Sequence, residues 1–178
     1  MAFSKEGTTG KTDSLGQKLE KPNMAWTQDL GFSDLPSIYN VTLPVGPNMP
    51  NVRDDVLLVQ TLLKLANFNY NGAAHGPAGT SRSLKVDGWF GEQTKRMVEA
   101  FEVHIRKQRL LLIADGVFEP SSDDGYTAKG IIYKIIHLNR FAKEATPSGE
   151  EYNRIPTDPE THPVLRRSLH AKPRFRDK

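Results

Sequence analysis

The sequence predicts a mainly α fold: a three-helix bundle with two similar Asp-Gly turns, flanked by extended N- and C-terminal arms. Three observations lead there. Apolar residues recur at helical spacing in three stretches, near 51–67, 92–107 and 126–143. The run Val86, Asp87, Gly88, Trp89, Phe90 returns 28 residues later as Ala114, Asp115, Gly116, Val117, Phe118. The 12 Pro and 14 Gly residues gather mostly outside the central third, so the ends differ in kind from the middle.

Taken in order, residues 1–23 are rich in Gly, Thr, Ser and Lys and hold too little apolar surface to offset their ordering entropy, which predicts an arm. Trp26, Leu30, Phe32 and Leu35 form a small apolar cluster that could dock on the domain or on another protein. Residues 37–43 alternate and are β-branched, as a short strand would be, and Pro44, Gly46, Pro47 and Pro50 mark a linker. The expected division is therefore 1–50 as arm and linker, 51–145 as the domain, and 146–178 as a Pro-rich basic tail.

Within the domain, Asn51 or Asp54 could cap a first helix whose stripe is Val52, Val56, Val59, Leu63 and Ala66. Leu58, Leu62 and Leu65 widen that stripe, so this helix should meet more than one neighbour. Residues 71–83 read as a loop. The second helix should run from Glu92 to Lys107, with Val98, Phe101 and Ile105 inward and an acid in its first turn. Residues 110–114 (Leu, Leu, Leu, Ile, Ala) form a continuous apolar run, expected to be buried. The pattern allows a short β pairing between 84–86 and 112–114. A third helix should start near Tyr126 or Thr127 and carry Ala128, Ile131, Ile135, Leu138 and Ala142 to Lys143. Pro156, Pro159, Pro163 and Pro173 then forbid long helices.

Composition bounds the chemistry. The apolar fraction is 37%, below the about 45–50% usual for globular domains, which fits one small domain with long ends. There is no cysteine, hence no disulfide framework and no thiolate metal site. Residues 1–10 contain no apolar run of the secretory type, and no stretch reaches membrane-spanning length. The expectation is a protein of the cytoplasm, or one exported or assembled by a non-standard route. The net charge of +3 is uneven, because residues 163–178 carry Arg166, Arg167, Lys172, Arg174, Arg176 and Lys178 against Asp177. Six cations broken by proline are few for a nucleic-acid arm and suit a solvated or protein-docked tail.

No catalytic set emerges. The zinc-helix, Gly-x-Ser-x-Gly and phosphate-loop patterns are missing, and the segment Gly76, Pro77, Ala78, Gly79 lacks the Lys-Ser/Thr of a phosphate loop. The acid pairs Asp54/Asp55 and Asp123/Asp124 fall at a helix start and in a loop, where caps and solvated turns are the ordinary roles. Of the histidines only His104 and His137 lie in core helices, and packing is their ordinary role too. No enzyme activity, cofactor or metal is expected.

The order of motifs resembles a known family. Leu58, Val59, Gln60, Leu62 and Leu63 lie in the first helix. Leu84, Val86, Asp87, Gly88, Phe90, Gly91 and Thr94 follow, then a helix ending in Ala100 and Phe101, then Asp115, Gly116, Phe118 and Pro120 before a third helix. This is similar to the three-helix peptidoglycan-binding domain found beside cell-wall hydrolases. It covers about 95 of the 178 residues, with Glu102 standing where the family usually has Gln and with 121–126 intervening before Thr127. The resemblance implies a three-helix fold and non-catalytic attachment to peptidoglycan or its fragments.

From the residues themselves, Trp89 is the candidate contact. It sits between Gly88 and Phe90, and alternation turns Phe90 inward and Trp89 outward. Lys85, Gln93, Thr94 and Arg96 lie near it, a set suited to a glycan face or a stem-peptide carboxylate. Trp89 could equally cover the core edge. Asp87 and Asp115 most simply brace their own turns. The alternative function is a structural subunit of a large bacterial envelope or phage-like assembly, in which Phe3, Trp26, Phe32, Val164, Leu165 and Phe175 on the arms dock neighbouring proteins.

Overall fold

The computed structural model describes residues 24–70 and 79–170. Five helices dominate: α1 (Arg53–Leu65), α2 (Glu92–Lys107), α3 (Lys134–Glu144), α4 (Glu150–Arg154) and α5 (Pro163–His170). Two antiparallel ribbons accompany them. β1 (Trp26–Asp29) pairs with β2 (Ser37–Asn40) in the register Trp26 with Asn40 and Asp29 with Ser37. The two-residue strands β3 (Asn69–Tyr70) and β4 (Gly79–Thr80) pair beside the C-terminal end of α1. No described helix is long and apolar enough to cross a membrane.

α1 is the axis of the fold. Its broad apolar stripe has the predicted consequence, for it packs against α2, α3, α4 and α5. Val56, Leu57, Leu58, Val59, Leu62 and Leu63 are all fully buried. Phe101 from α2, Phe118 from the loop after it, and Ile135 and Leu138 from α3 complete the central core. Rings of Phe68, Phe101, Phe118 and Phe141 meet there with centroids about 6 Å apart. α2 occupies the expected span, with Gly91 at its N-cap and Glu92 in its first turn.

Several expectations are corrected. Residues 24–50 are not a detached linker. Ala25, Leu35, Ile38, Tyr39, Val41 and Val45 belong to the same core as α1. Of the two docking partners open to the first apolar cluster, the domain itself is the one engaged: Leu35 is buried and Phe32 packs edge-on against Tyr126. Polar anchors fix the ribbon. Asn40 donates to the Ser121 carbonyl at 3.2 Å and accepts from its N–H at 3.0 Å, and Gln28 donates to the Ser122 carbonyl at 2.8 Å. Residues 146–170 also fold back. Leu165 is fully buried, Ser168 donates to the Asp54 carboxylate, and Tyr152 packs on Tyr39 at 5.0 Å. Asn139 of α3 joins both ends. Its Oδ1 accepts from the Tyr39 N–H at 2.8 Å and from the Tyr152 hydroxyl at 2.7 Å, and its Nδ2 donates to the Tyr39 carbonyl at 2.9 Å.

The start of α1 differs as well. Neither Asn51 nor Asp54 caps it, because Val52 is the N-cap and no side chain bonds there. Asn51, at φ 48°, instead holds Gly46 through two 2.9 Å hydrogen bonds. α3 begins at Lys134 and not near 126. Ahead of it the chain makes a tight reversal, with a Tyr126–Ile132 bridge, Gly130 at φ 72°, and the Thr127 hydroxyl accepting from the Ile131 N–H. Ala128 and Ile131 mimicked helical spacing across that turn. The pairing of 84–86 with 112–114 does not form; the bridge that does form links Val45 with Phe118. The run 110–114 is not buried either, since Leu111 is 77% exposed and Ile113 41%.

Asp55 is the polar residue set deepest into α1. It is fully buried, and its two oxygens accept from the Thr42 and Leu43 N–H groups at 2.9 and 3.0 Å. Burial outweighs those hydrogen bonds and pushes its carboxyl from 3.8 up to about 6. A carboxyl raised in the folded state stabilises most below its unfolded value, and that contribution is lost as pH rises through about 6. The stability of wild type relative to Asp55→Asn should therefore fall by on the order of 3 kcal/mol between about pH 4 and about pH 7. Urea unfolding at the two pH values checks this, and a constant difference would refute it.

Candidate functional site

The turn at Asp87 and Gly88 is built from α1 outward. Gly88 has φ 78°, and a Cβ there would lie 2.7 Å from the Arg53 side chain and 3.1 Å from Leu57. Glycine answers both demands, positive φ and close approach. Asp87 closes the turn on itself, accepting from the Trp89 N–H at 3.0 Å. Gln60 holds the turn from beneath. Its Oε1 accepts from the N–H groups of Asp87 and Gly88 at 3.1 and 2.8 Å. Its Nε2 lies within hydrogen-bonding distance of Asp87 Oδ1, the Trp89 carbonyl and Thr94 Oγ1, at 3.1, 3.0 and 2.9 Å. The Trp89 N–H donation, with help from Gln60 and Lys85, keeps the Asp87 carboxyl below its ordinary range despite slight desolvation.

The Trp89 backbone is thereby locked, while its side chain is free. Its carbonyl also accepts from the Gly91 N–H at 2.9 Å and the Thr94 hydroxyl at 3.3 Å. The residue is 76% exposed, the second most exposed large hydrophobic residue among those described. Its expected outward direction is the one observed, and it does not cover the core edge.

The other four residues of the predicted set divide. Lys85 is exposed, with its ammonium 3.6 Å from Asp87, and its N–H donates to Gln93 Oε1 at 3.3 Å. Gln93 donates in turn to the Ser83 carbonyl at 3.2 Å. Arg96 pairs with Glu92 at 3.1 Å along one face of α2. Thr94 does not belong to a ligand-facing set. It is 2% exposed and both hydroxyl roles are spent on Gln60 and Trp89. The threonine that looked like a contact is a brace.

The second turn repeats the device with different chemistry. Gly116 has φ 75°, and Asp115 accepts from the Val117 N–H at 2.9 Å. Here Glu102 of α2 takes the place of Gln60, accepting from the Gly116 N–H at 2.8 Å. A buried carboxylate needs a counter-charge, and Lys134 provides it, pairing with Glu102 and reaching Asp115 at 2.8 Å. Burial acts to raise the Asp115 carboxyl, but Lys134 and the Val117 N–H together hold it below its ordinary value. The Glu102 carboxylate, in the place the Gln60 amide holds at the first turn, is thus matched by Lys134, 32 residues later.

The two histidines of the core helices, His104 and His137, are packing groups. His104 stacks on Phe68 with centroids 5.6 Å apart and a 30° tilt, and lies edge-on to Phe141 at 5.2 Å. His137 is buried, and neither ring nitrogen makes a well-formed hydrogen bond. Burial, then Arg140, depress its basicity, and the nearby Leu111 backbone opposes this weakly. Among the described residues no three His, Asp or Glu side chains stand together as a metal site would require.

Sequence reasoning missed one feature. A groove of about 640 Å³ runs between α1 and residues 151–163, lined by Thr61, Leu65, Val86, Arg82, Arg154 and Asp158 among others. Its walls mix both charge signs, and Arg154 and Asp158 face each other at 3.8 Å. No motif announces it, because one wall is a segment expected to be tail. Val86 alone connects it to the turn described above. Comparison with protein-family models, characterised proteins and solved structures gave no match.

The Gln60 clamp makes two stability predictions. Gln60→Ala leaves two turn N–H groups unpaired beneath the surface and should cost about 2–4 kcal/mol in urea unfolding. Gly88→Val combines positive φ with a collision against Arg53 and should cost about 2 kcal/mol or more. A midpoint unchanged in either variant would show that the clamp does not hold the turn.

Proposed function

We propose that the chain is a non-catalytic binding module that attaches to peptidoglycan or its fragments. The observation that carries this reading is Trp89: an indole 76% exposed on a backbone fixed by four hydrogen-bond partners. An exposed aromatic on a rigid turn offers a stacking face at little entropic cost, as sugar rings require. Lys85, Gln93 and Arg96 complete the contact set. The cations are held only by exposed ion pairs, which are weak enough to be exchanged for the carboxylates of a stem peptide. The acids with shifted affinity for protons at the two turns and in α1 are engaged with backbone N–H groups, which supports a binding role and not acid/base work.

The protein should co-sediment with isolated sacculi. Trp89→Ala should abolish that while leaving the thermal midpoint unchanged, because the indole contributes little to the core. Retention of binding in Trp89→Ala would displace the site, and absence of binding by the wild type would end the reading.

A second reading is a structural subunit of a bacterial envelope or phage-like assembly. The apolar pair Leu111 and Ile113, exposed beside the core, favours it. The arm residues Phe32 and Leu165 are engaged within the chain, so docking through them has lost its motivation; Phe3 and Phe175 lie outside the described residues. Native mass measurement from source cells separates the readings, since a free monomer rejects the second.

A further inference from the structure

The groove between α1 and residues 151–163 has charged walls that do not close on each other. One wall, from α1 and residues 82–86, carries Lys64 and Arg82 and no acid. The other carries Glu151, Asp158 and Glu160 together with Arg154 and His162. Within that second wall Arg154 is spent on Asp158 at 3.8 Å, and His162 Nδ1 accepts from the Val164 N–H at 3.2 Å. Four charges are left over, Lys64 and Arg82 on one side and Glu151 and Glu160 on the other. All four residues are exposed, and none has an ion pair among the described residues. Opposite charges thus line one cavity of about 640 Å³ without meeting across it. The lining also includes Leu65, Val86 and Pro163, and the volume is that of an ordinary small-ligand site.

We infer that this groove takes a short peptide with both ends free, its carboxylate against Lys64 and Arg82 and its ammonium against Glu151 and Glu160. A simple anion would set its charge against the acids of the second wall, and a simple cation would do the same at the first. A ligand that carries both signs is complementary to both walls at once. A single amino acid holds both charges on one carbon and fills a small part of the cavity. A peptide separates the two charges, and its aliphatic side chains can lie on Leu65 and Val86. Lysine and arginine receive a carboxylate through charge-assisted hydrogen bonds, and carboxylates receive an ammonium in the same way. Because the four charges are exposed, each contact is weak, and the Kd should be on the order of 1 mM. This inference is independent of wall binding, since the groove contains none of Trp89, Lys85, Gln93 and Arg96.

The test is an amide chemical-shift titration of the full chain with trialanine over about 0.1–20 mM. Saturable shifts should gather at residues 61–65, 82–86 and 151–163. N-acetyl-trialanine lacks the ammonium and trialanine amide lacks the carboxylate. Each loses two of the four contacts and should bind about fivefold or more weakly. Arg82→Glu should erase the preference for trialanine over its amide, and Glu151→Lys should erase the preference over the acetylated form. Circular dichroism should stay unchanged in both variants, because both positions are exposed. Trp89→Ala should leave all three affinities as they are, which separates this site from the one proposed for the wall. A wild type without saturable shifts in the groove overturns the inference. So do three peptides bound equally well, since the walls then do not read charge, or shifts that gather elsewhere. The blocked peptides test the wild type directly, whatever becomes of the variants.

Discussion

The fold depends on burying polar groups in a helix that has almost no solvent face. α1 is surrounded, yet it carries Asp54 and Asp55 in its first turn and Gln60 at its centre. Each of these is acceptable inside only because it is hydrogen-bonded, and each bond reaches a different part of the chain. Asp55 holds the backbone at 42 and 43, Gln60 holds the turn at 87 and 88, and Asp54 receives Ser168 of α5. Apolar contacts around α1 supply cohesion without direction. The three polar residues supply the direction, because a hydrogen bond is met at one geometry and an unmet one is costly.

Asn139 plays the matching part on α3. By serving Tyr39 from one end of the chain and Tyr152 from the other, it closes the structure across more than 100 residues of sequence. Burial raises both tyrosine hydroxyls, Tyr39 to about 12, so both remain neutral donors over any ordinary pH. The described parts of the two segments that composition marked as arms are thus tied, at Tyr39 and Tyr152, to one amide on a core helix. A domain drawn without them would leave that amide and the faces of α1 and α3 open to water.

The candidate site follows from the same logic. Gln60 uses the backbone of the first turn so fully that only the Trp89 side chain is left over for the outside. The second turn has a similar backbone and the same Asp brace, but Val117 stands where Trp89 stands in the first, and Val117 is buried. Two copies of one folding device therefore differ in what they show to solvent. The first presents an aromatic face; the second lies beside the unpaired segment 110–114. Its clamp is a charged one, Glu102 with Lys134, in place of the neutral amide.

Much of this was legible in the residues. The α2 span, the breadth of the α1 stripe, the two Asp-Gly turns, the strand at Ser37–Asn40 and the outward Trp89 each rest on local rules: periodicity, turn chemistry and alternation act over a few residues and need no partner to be read. What only the tertiary structure decided depends on pairs far apart in sequence. Thr94 looked like a contact because its hydroxyl is polar, and Gln60, 34 residues earlier, consumes it. The run 110–114 looked buried because it is apolar, but one face of it finds no neighbour. Residues 24–50 and 146–170 looked peripheral because proline and glycine punctuate them; packed against α1 and against Asn139, they bury their apolar groups. Local sequence sets what a segment can form. Which of its groups remain free to bind anything is set by who else reaches them.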